Sequence, residues 1–149
     1  DPHLVENQKL LAYASQLGIA PALKNLGELN STQLADAYGK FHAFAFPSLC
    51  ESFGFPLVEA MANRLPVLVA DVASSREVAS AAGIYFGSND HIALANEIQK
   101  LAANEPWYKD RVLASGIRQA DYSWQRATEQ TVRLIESMVH GSLEGQATN

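Results

Sequence analysis

The chain is short of the residues that several kinds of chemistry need. It has one cysteine, Cys50, so no disulfide can form within it, and a reducing, cytoplasmic setting is expected. Its four histidines, His3, His42, His91 and His140, are scattered without ligand spacing, which argues against a metal centre. Basic residues are outnumbered, 11 Lys and Arg against 16 Asp and Glu, and they form no cluster. The net charge of −5 argues against nucleic acid or an anionic membrane as partner, since both usually need a basic face. No apolar run reaches membrane-spanning length, and nothing reads as a signal peptide, an internal repeat or a low-complexity linker. What the chain does have is 149 residues with 48% apolar side chains, enough for one domain with a substantial core.

The most informative stretch is Cys50 to Ala62, Cys-Glu-Ser-Phe-Gly-Phe-Pro-Leu-Val-Glu-Ala-Met-Ala. It joins an apolar run, Ala43 to Pro47, to a short helix expected to start at Pro56, whose fixed φ and missing N–H suit a first helical position. Phe55 then stands at the cap with no side-chain acceptor. Such a helix start, with Gly54 just upstream, can receive an anion on its free N–H groups. Two carboxylates flank the turn, Glu51 before it and Glu59 as the fourth helical residue. Side chains lean toward a helix's N-terminus, so Glu59 is expected to face the same mouth as the loop. Its apolar neighbours suggest a buried helix in which a carboxylate needs a partner or ligand. The alternative is that Glu59 only complements the helix dipole and Glu51 is a solvated loop residue; spacing alone does not separate the two.

Along the chain, Leu4, Leu11, Ala14 and Leu17 recur at helical intervals over residues 4–17, with Gly18 as the stop. Residues 23–27 read as a brief strand. Asn30 and Ser31 offer caps for a helix reaching about His42, with Leu34, Ala35, Tyr38 and Phe41 on one stripe. Ala43 to Phe46 and Val67 to Ala70 read as buried parallel strands, Pro66 entering the second from a sheet edge. Ser74-x-x-Glu77 reads as a capping box. Ile84 to Phe86 is the last strand, ended by Gly87. Asn89 and Asp90 cap a helix to about Ala103, with Ile92, Leu94, Ala95, Ile98 and Leu101 on its apolar side. Glu105-Pro106 opens another to about Ala120. Residues 124–140 form a last helix with Ala127, Thr131, Leu134, Ile135 and Met138 as its buried stripe. Alternating strands and helices imply an α/β fold with a parallel sheet. The domain is expected over 1–140, and 141–149, polar and small, as a disordered tail.

Glu51-x7-Glu59, filled as Glu-Ser-Phe-Gly-Phe-Pro-Leu-Val-Glu-Ala-Met-Ala, resembles the signature of family 4 (group 1) retaining glycosyltransferases of GT-B fold. Asn25 to Leu29, Ala43 to Ser48, Leu65 to Ala70, Arg76 to Ala79, Ala82 to Phe86 and Tyr122-Ser123-Trp124 follow in the family's order, so the likeness covers about residues 4–140. The resemblance implies a Rossmann-like, donor-binding C-terminal domain that moves a hexose from a nucleotide sugar to an acceptor with retention and without a metal or other cofactor. It implies that Glu51 touches the donor hexose near the reacting centre and that Glu59 holds the ribose hydroxyls. Backbone N–H groups of Phe53, Gly54, Phe55, Leu57 and Val58 would serve the sugar and phosphates, and Leu29 would lie beside the nucleobase. Family members carry an Arg and a Lys upstream, and an acceptor (sugar, lipid or other small molecule) held mainly by an N-terminal domain. Neither is expected within this chain.

In the Rossmann order 3-2-1-4-5-6 the four candidate strands would be the third to the sixth. Two more would be needed between the first and second of them, and a hole there would leave backbone groups unpaired. Those strands are expected either upstream in a longer polypeptide, the favoured reading, or from another chain. The chain alone is therefore expected to be inactive. Two departures from the family pattern stand out. Asn63-Arg64-Leu65 occupies a place where glycine is common, so Asn63 is expected to take the left-handed cap. Ser80-Ala81 replaces Gly-Asp.

Other polar candidates have plainer readings. Cys50 reads as small apolar filler, His42 as a packed or dipole-complementing residue, Asp71 as a turn former, and Trp107 and Trp124 as anchors of the terminal helices. Arg76 is either a surface ion-pair partner or part of the cleft wall. Two other functions compete with the transferase: a GT-B sugar-nucleotide epimerase, against which the full Glu-x7-Glu pattern speaks, and a non-catalytic nucleotide-sugar binding module, against which both carboxylates and Gly54 speak.

Overall fold

The structure, a computed structural model, describes residues 2–144, and side chains over residues 7–139. It divides into two units, residues 1–36 and 37–149. In the first, α1 (Pro2–Gln16) ends before Gly18, whose φ of +71° is the left-handed stop expected of it. Ala14 is buried, whereas Leu11 and Leu17 are exposed; Leu4 lies outside the described side chains. A 3-10 turn follows at Ala20–Ala22.

Residues 23–27 form no strand, contrary to expectation. A strand exists only through its ladder, and this segment has no partner strand among the described residues. Its backbone instead makes a side-chain turn, the Asn25 Oδ1 accepting from the Gly27 N–H at 2.9 Å. The next helix, α2 (Ser31–Tyr38), begins with a reciprocal cap between Asn30 and Gln33, at 2.9 and 3.0 Å. It stops at Tyr38, before Gly39, four residues short of His42. Phe41 consequently falls off the helical stripe and is exposed.

The second unit is built on three parallel strands, β1 (Phe44–Phe46), β2 (Val67–Ala70) and β3 (Gly83–Phe86), in the order β1-β2-β3. No gap interrupts them, so the expected hole does not fall inside this sheet. Every residue of β2 is buried, which its position between two strands and two helical layers requires. It is the central strand, not an edge: Pro66 is buried, and its carbonyl accepts from the Phe44 N–H at 2.9 Å. Each fully buried Val or Leu here stabilises the fold by about 1.5–3 kcal/mol.

Each strand leads into a helix. β1 leads to α3 (Phe55–Ala62), β2 to α4 (Ala73–Ala79), and β3 to α5 (His91–Ala103), with α6 (Glu105–Gln119) and α7 (Trp124–Glu144) closing the chain. Leu68, Ala70, Ile84, Phe86 and Leu101 form one core, with Ala93, Leu94, Trp107 and Tyr108 packed on it. Ile92, off that face of α5, is exposed, and Ile98 lines an open apolar cleft with His42, Ala43, Leu101 and Tyr108 at the amino end of β1. The α5 and α6 starts are as expected, Asp90 and Asn104 each accepting from an N–H three residues on. No Ser74 box exists: α4 starts at Ala73, so Ser74 is already helical, and no side chain caps the start.

α7 runs to Glu144, so residues 141–144 of the expected tail are helical and 145–149 lie outside the described residues. Its stripe of Leu134, Ile135 and Met138 is exposed rather than buried, and Trp124 is 84% exposed, so it is not the buried anchor expected. Helical spacing of apolar residues marks a face that can be covered, and no described element of this unit packs broadly along it.

Candidate active site

In a parallel α/β sheet, ligands meet the loops beyond the carboxyl ends of the strands. For β1 that loop is residues 47–54, and it carries the signature. Gly54, not Phe55, is the N-cap of α3, with φ +87° and ψ +51°. Phe55 and Pro56 are the first two helical residues, so Pro56 sits one position later than expected. The left-handed cap is what glycine supplies: a Cβ there would meet only ordinary contacts, the nearest 3.6 Å away at Leu57, but L residues resist that backbone. No side chain caps the helix. The Leu57 N–H donates to the Gly54 carbonyl at 3.0 Å, closing the first turn.

This register makes Glu59 the fifth helical residue, beyond the first turn in which a carboxylate gains from the dipole. Dipole complementation is thus a poor account of it. The helix buries Leu57, Ala60 and Met61 while Glu59, Phe55 and Ala62 are exposed, so α3 is buried on one face and not all round. The Tyr38 hydroxyl donates to Glu59 Oε2 at 3.1 Å. Burial first, then that hydrogen bond and the Glu59 charge, push the Tyr38 phenol up to about 12. Glu51, exposed in the loop, accepts from the Ser48 hydroxyl at 2.8 Å. Among the described residues neither glutamate is in an ion pair, unlike Asp71, Asp110 and Asp121. Each carboxylate therefore keeps acceptor capacity for polyol hydroxyls.

The helix ends in a Schellman motif in which the Leu65 N–H bonds the Ala60 carbonyl at 3.0 Å and the Arg64 N–H the Met61 carbonyl at 2.9 Å. Arg64 is the left-handed residue, with φ +58°, and Asn63 stays at −86° while its side chain donates to the Glu59 carbonyl. The expectation for Asn63 is thus displaced by one. Ser115 of α6, fully buried, donates to the Leu65 carbonyl at 2.7 Å and fixes this end of α3.

Beyond β2, Arg76 pairs with Asp71, Nη2 to Oδ2 at 2.7 Å, and lies 4.6 Å from the Tyr85 ring centroid. Arg76 is therefore an ion-pair partner, and its guanidinium holds the Asp71 carboxyl below the usual carboxylate range. Cys50 is exposed, not filler. Trp107 is half-buried between Lys100 and Arg111, 4.3 and 4.4 Å from its ring centroid. Among the described residues no three His, Cys, Asp or Glu are gathered as a metal site would need. No described helix is long and apolar enough to cross a membrane.

Glu51, Phe53, Gly54, Phe55, Leu57 and Val58 thus share one loop and one helix start, with Glu59 just past the first turn of α3. Leu29 belongs to the first unit, half-buried ahead of α2. Tyr38 and Ser48 are the contacts that the sequence did not signal; only the fold brings Tyr38 to a residue 21 positions away.

The three-strand parallel sheet with flanking helices is part of a GT-B architecture. A sucrose-phosphate synthase from Thermosynechococcus elongatus matches it with TM-score 0.79 over 92% of this chain and 35% of that one, at 24% identity. The family described as Glycosyl transferases group 1 matches residues 5–117, and the chain belongs to it. O-antigen chain mannosyltransferase B of Escherichia coli is 32% identical over 111 residues, covering 74% of this chain and 29% of that protein. A D-inositol 3-phosphate glycosyltransferase of Gordonia bronchialis is 30% identical over 122 residues, 80% of this chain and 27% of that protein. The chain spans under a third of the length of these curated relatives.

Proposed function

We propose that this unit binds the donor, a nucleoside-diphosphate hexose, in a cytoplasmic, metal-independent transferase that retains anomeric configuration. The observation that supports it is the bare, left-handed Gly54 cap with a carboxylate before it and another after it, each accepting one hydroxyl and in no ion pair among the described residues, within a group 1 chain. The N–H groups of Phe53, Gly54 and Phe55 meet the phosphates, with the positive end of the α3 dipole at Leu57 and Val58 behind them. Charge growing on the departing diphosphate is stabilised there, where it develops. Glu51 lies against the hexose and offsets oxocarbenium-like charge at the reacting carbon. Glu59 accepts from both ribose hydroxyls. The acceptor, a sugar, lipid or other small molecule, is held mainly by parts of the protein outside residues 1–149, so these residues alone turn over nothing.

The test is turnover by the full-length protein with a panel of nucleoside-diphosphate hexoses, a mannose donor first because of the mannosyl transfer named for the E. coli relative. Glu51→Ala should abolish turnover while leaving donor binding measurable. Turnover that survives Glu51→Ala would overturn the role at the reacting carbon. A wild-type protein that binds a donor without transfer would favour the binding-module reading, and an inverted product would overturn retention.

A further inference from the structure

Phe53, in the loop beside the Gly54 cap, is flanked by two rings. Phe55 meets it edge-on, centroids 5.0 Å apart, and Tyr122 does so from beyond α6, at 5.7 Å and an interplanar angle of 78°. Phe55 moves with the loop, being its next residue but one, and is 60% exposed. Tyr122 is the contact that comes from elsewhere. Its hydroxyl lies 3.1 Å from the Val78 carbonyl and 3.3 Å from that of Glu77, at the end of α4. Arg118 ties the same place together. Its Nε donates to Val78 O at 2.9 Å, and its Nη2 to Glu77 O and to the Tyr122 hydroxyl, each at 2.6 Å. Its Nη1 pairs with Asp121 at 2.8 Å, and its guanidinium carbon lies 4.9 Å from the Tyr122 ring centroid.

A phenol held on two carbonyls and one guanidinium has little freedom, and the ring it carries is pressed on the signature loop. We propose that Tyr122, locked by Arg118 onto the end of α4, is a positioning residue that holds the Ser52–Phe55 loop in its donor-receiving shape. The proposal rests on the donor-site reading of that loop. Tyr122 touches no substrate; it acts through Phe53. A loop that is already formed binds the donor without first being ordered, so loosening it multiplies the apparent affinity by the fraction still formed. Saturating donor restores the loop, which separates its effect on KM from that on kcat.

The experiment compares Tyr122→Leu, which removes the ring, and Tyr122→Phe, which keeps it, in the full-length protein. Ile84→Val in the β3 core is the control that lowers stability without touching the loop. Amide exchange is read over residues 52–57 without ligand, and KM and kcat are measured with the donor that the wild type uses. Tyr122→Leu should speed exchange there and raise donor KM about two- to twelvefold, the range an aromatic edge contact is worth. It should leave kcat and acceptor KM unmoved, and Tyr122→Phe, which keeps the ring but loses the hydroxyl that Arg118 and the α4 carbonyls hold, should fall between the wild type and Tyr122→Leu. Ile84→Val should lower Tm and move none of these. Unchanged exchange over 52–57 in Tyr122→Leu would overturn the positioning role and leave the donor site standing. Faster exchange with an unchanged donor KM would overturn both, because the loop would then not be where the donor sits.

Discussion

The Tyr38 hydroxyl donates to Glu59 Oε2 at 3.1 Å, joining the last residue of α2 to the carboxylate in the middle of α3. Tyr38 is 7% exposed, and its ring meets Phe44 of β1 edge-on at 5.8 Å, so the phenol is set by the core and Glu59 is set by the phenol. Tyr38→Phe should keep the packing and lose the hydrogen bond, lowering stability by about 1 kcal/mol in urea unfolding, because Glu59 is exposed and regains water.

The same pair sets a pH dependence. Burial, then the Glu59 hydrogen bond and charge, raise the Tyr38 phenol from its ordinary 10.0 to about 12 in the folded protein. The folded state thus holds this proton more tightly than the unfolded chain. Its contribution to stability is whole below about pH 10 and is lost as the pH rises from there through about 12. Urea midpoints should fall across that window in the wild type, and part of the fall should vanish in Tyr38→Phe.

Ser80 has φ +47° and ψ −129°, a backbone that favours glycine, and its N–H closes α4 onto the Arg76 carbonyl. Ser80→Gly should relieve that strain and stabilise the protein by about 1 kcal/mol, read as a higher Tm. At Gly54 the sign reverses. Gly54→Ala has room but not the conformation, so it should cost about 1–2 kcal/mol and weaken donor binding as well.

Asp71 and Arg76 are exposed, and their pairing is a surface one. The Arg76 guanidinium lowers the Asp71 pKa, so what the pair contributes is present above the ordinary carboxylate range and lost as the pH falls through the lowered value. Asp71→Asn should have a small effect on stability that high salt removes, and none on donor affinity; both are checked by repeating unfolding and binding at two ionic strengths.

Which features the sequence disclosed follows from how local their causes are. Val67 to Ala70 is a strand because four apolar residues follow a proline, and Asp90 caps a helix because its acceptor reaches an N–H three residues on. The signature's two glutamates and its glycine stand out by resemblance to the family, whereas spacing alone leaves the roles of Glu51 and Glu59 open. The cap itself was misplaced by one residue because both Gly54 and Pro56 suit a helix start, and only the backbone dihedrals choose. Likewise Arg64 takes the left-handed position that Asn63 suited better by type. Among the described residues, 23–27 have a strand's composition without a partner strand, and the α7 stripe has a core helix's spacing yet is exposed. Contacts spanning tens of residues, Tyr38 with Glu59 and Phe53 with Tyr122, leave no periodic trace at all.

Calorimetric titration of the full-length protein with a nucleoside-diphosphate sugar, wild type against Glu59→Ala, tests the central reading most directly. If Glu59 holds the ribose diol, its loss removes charge-assisted hydrogen bonds worth about 1.5–3 kcal/mol, and Kd should rise by roughly ten- to 150-fold. An unchanged Kd in a folded Glu59→Ala protein would contradict it.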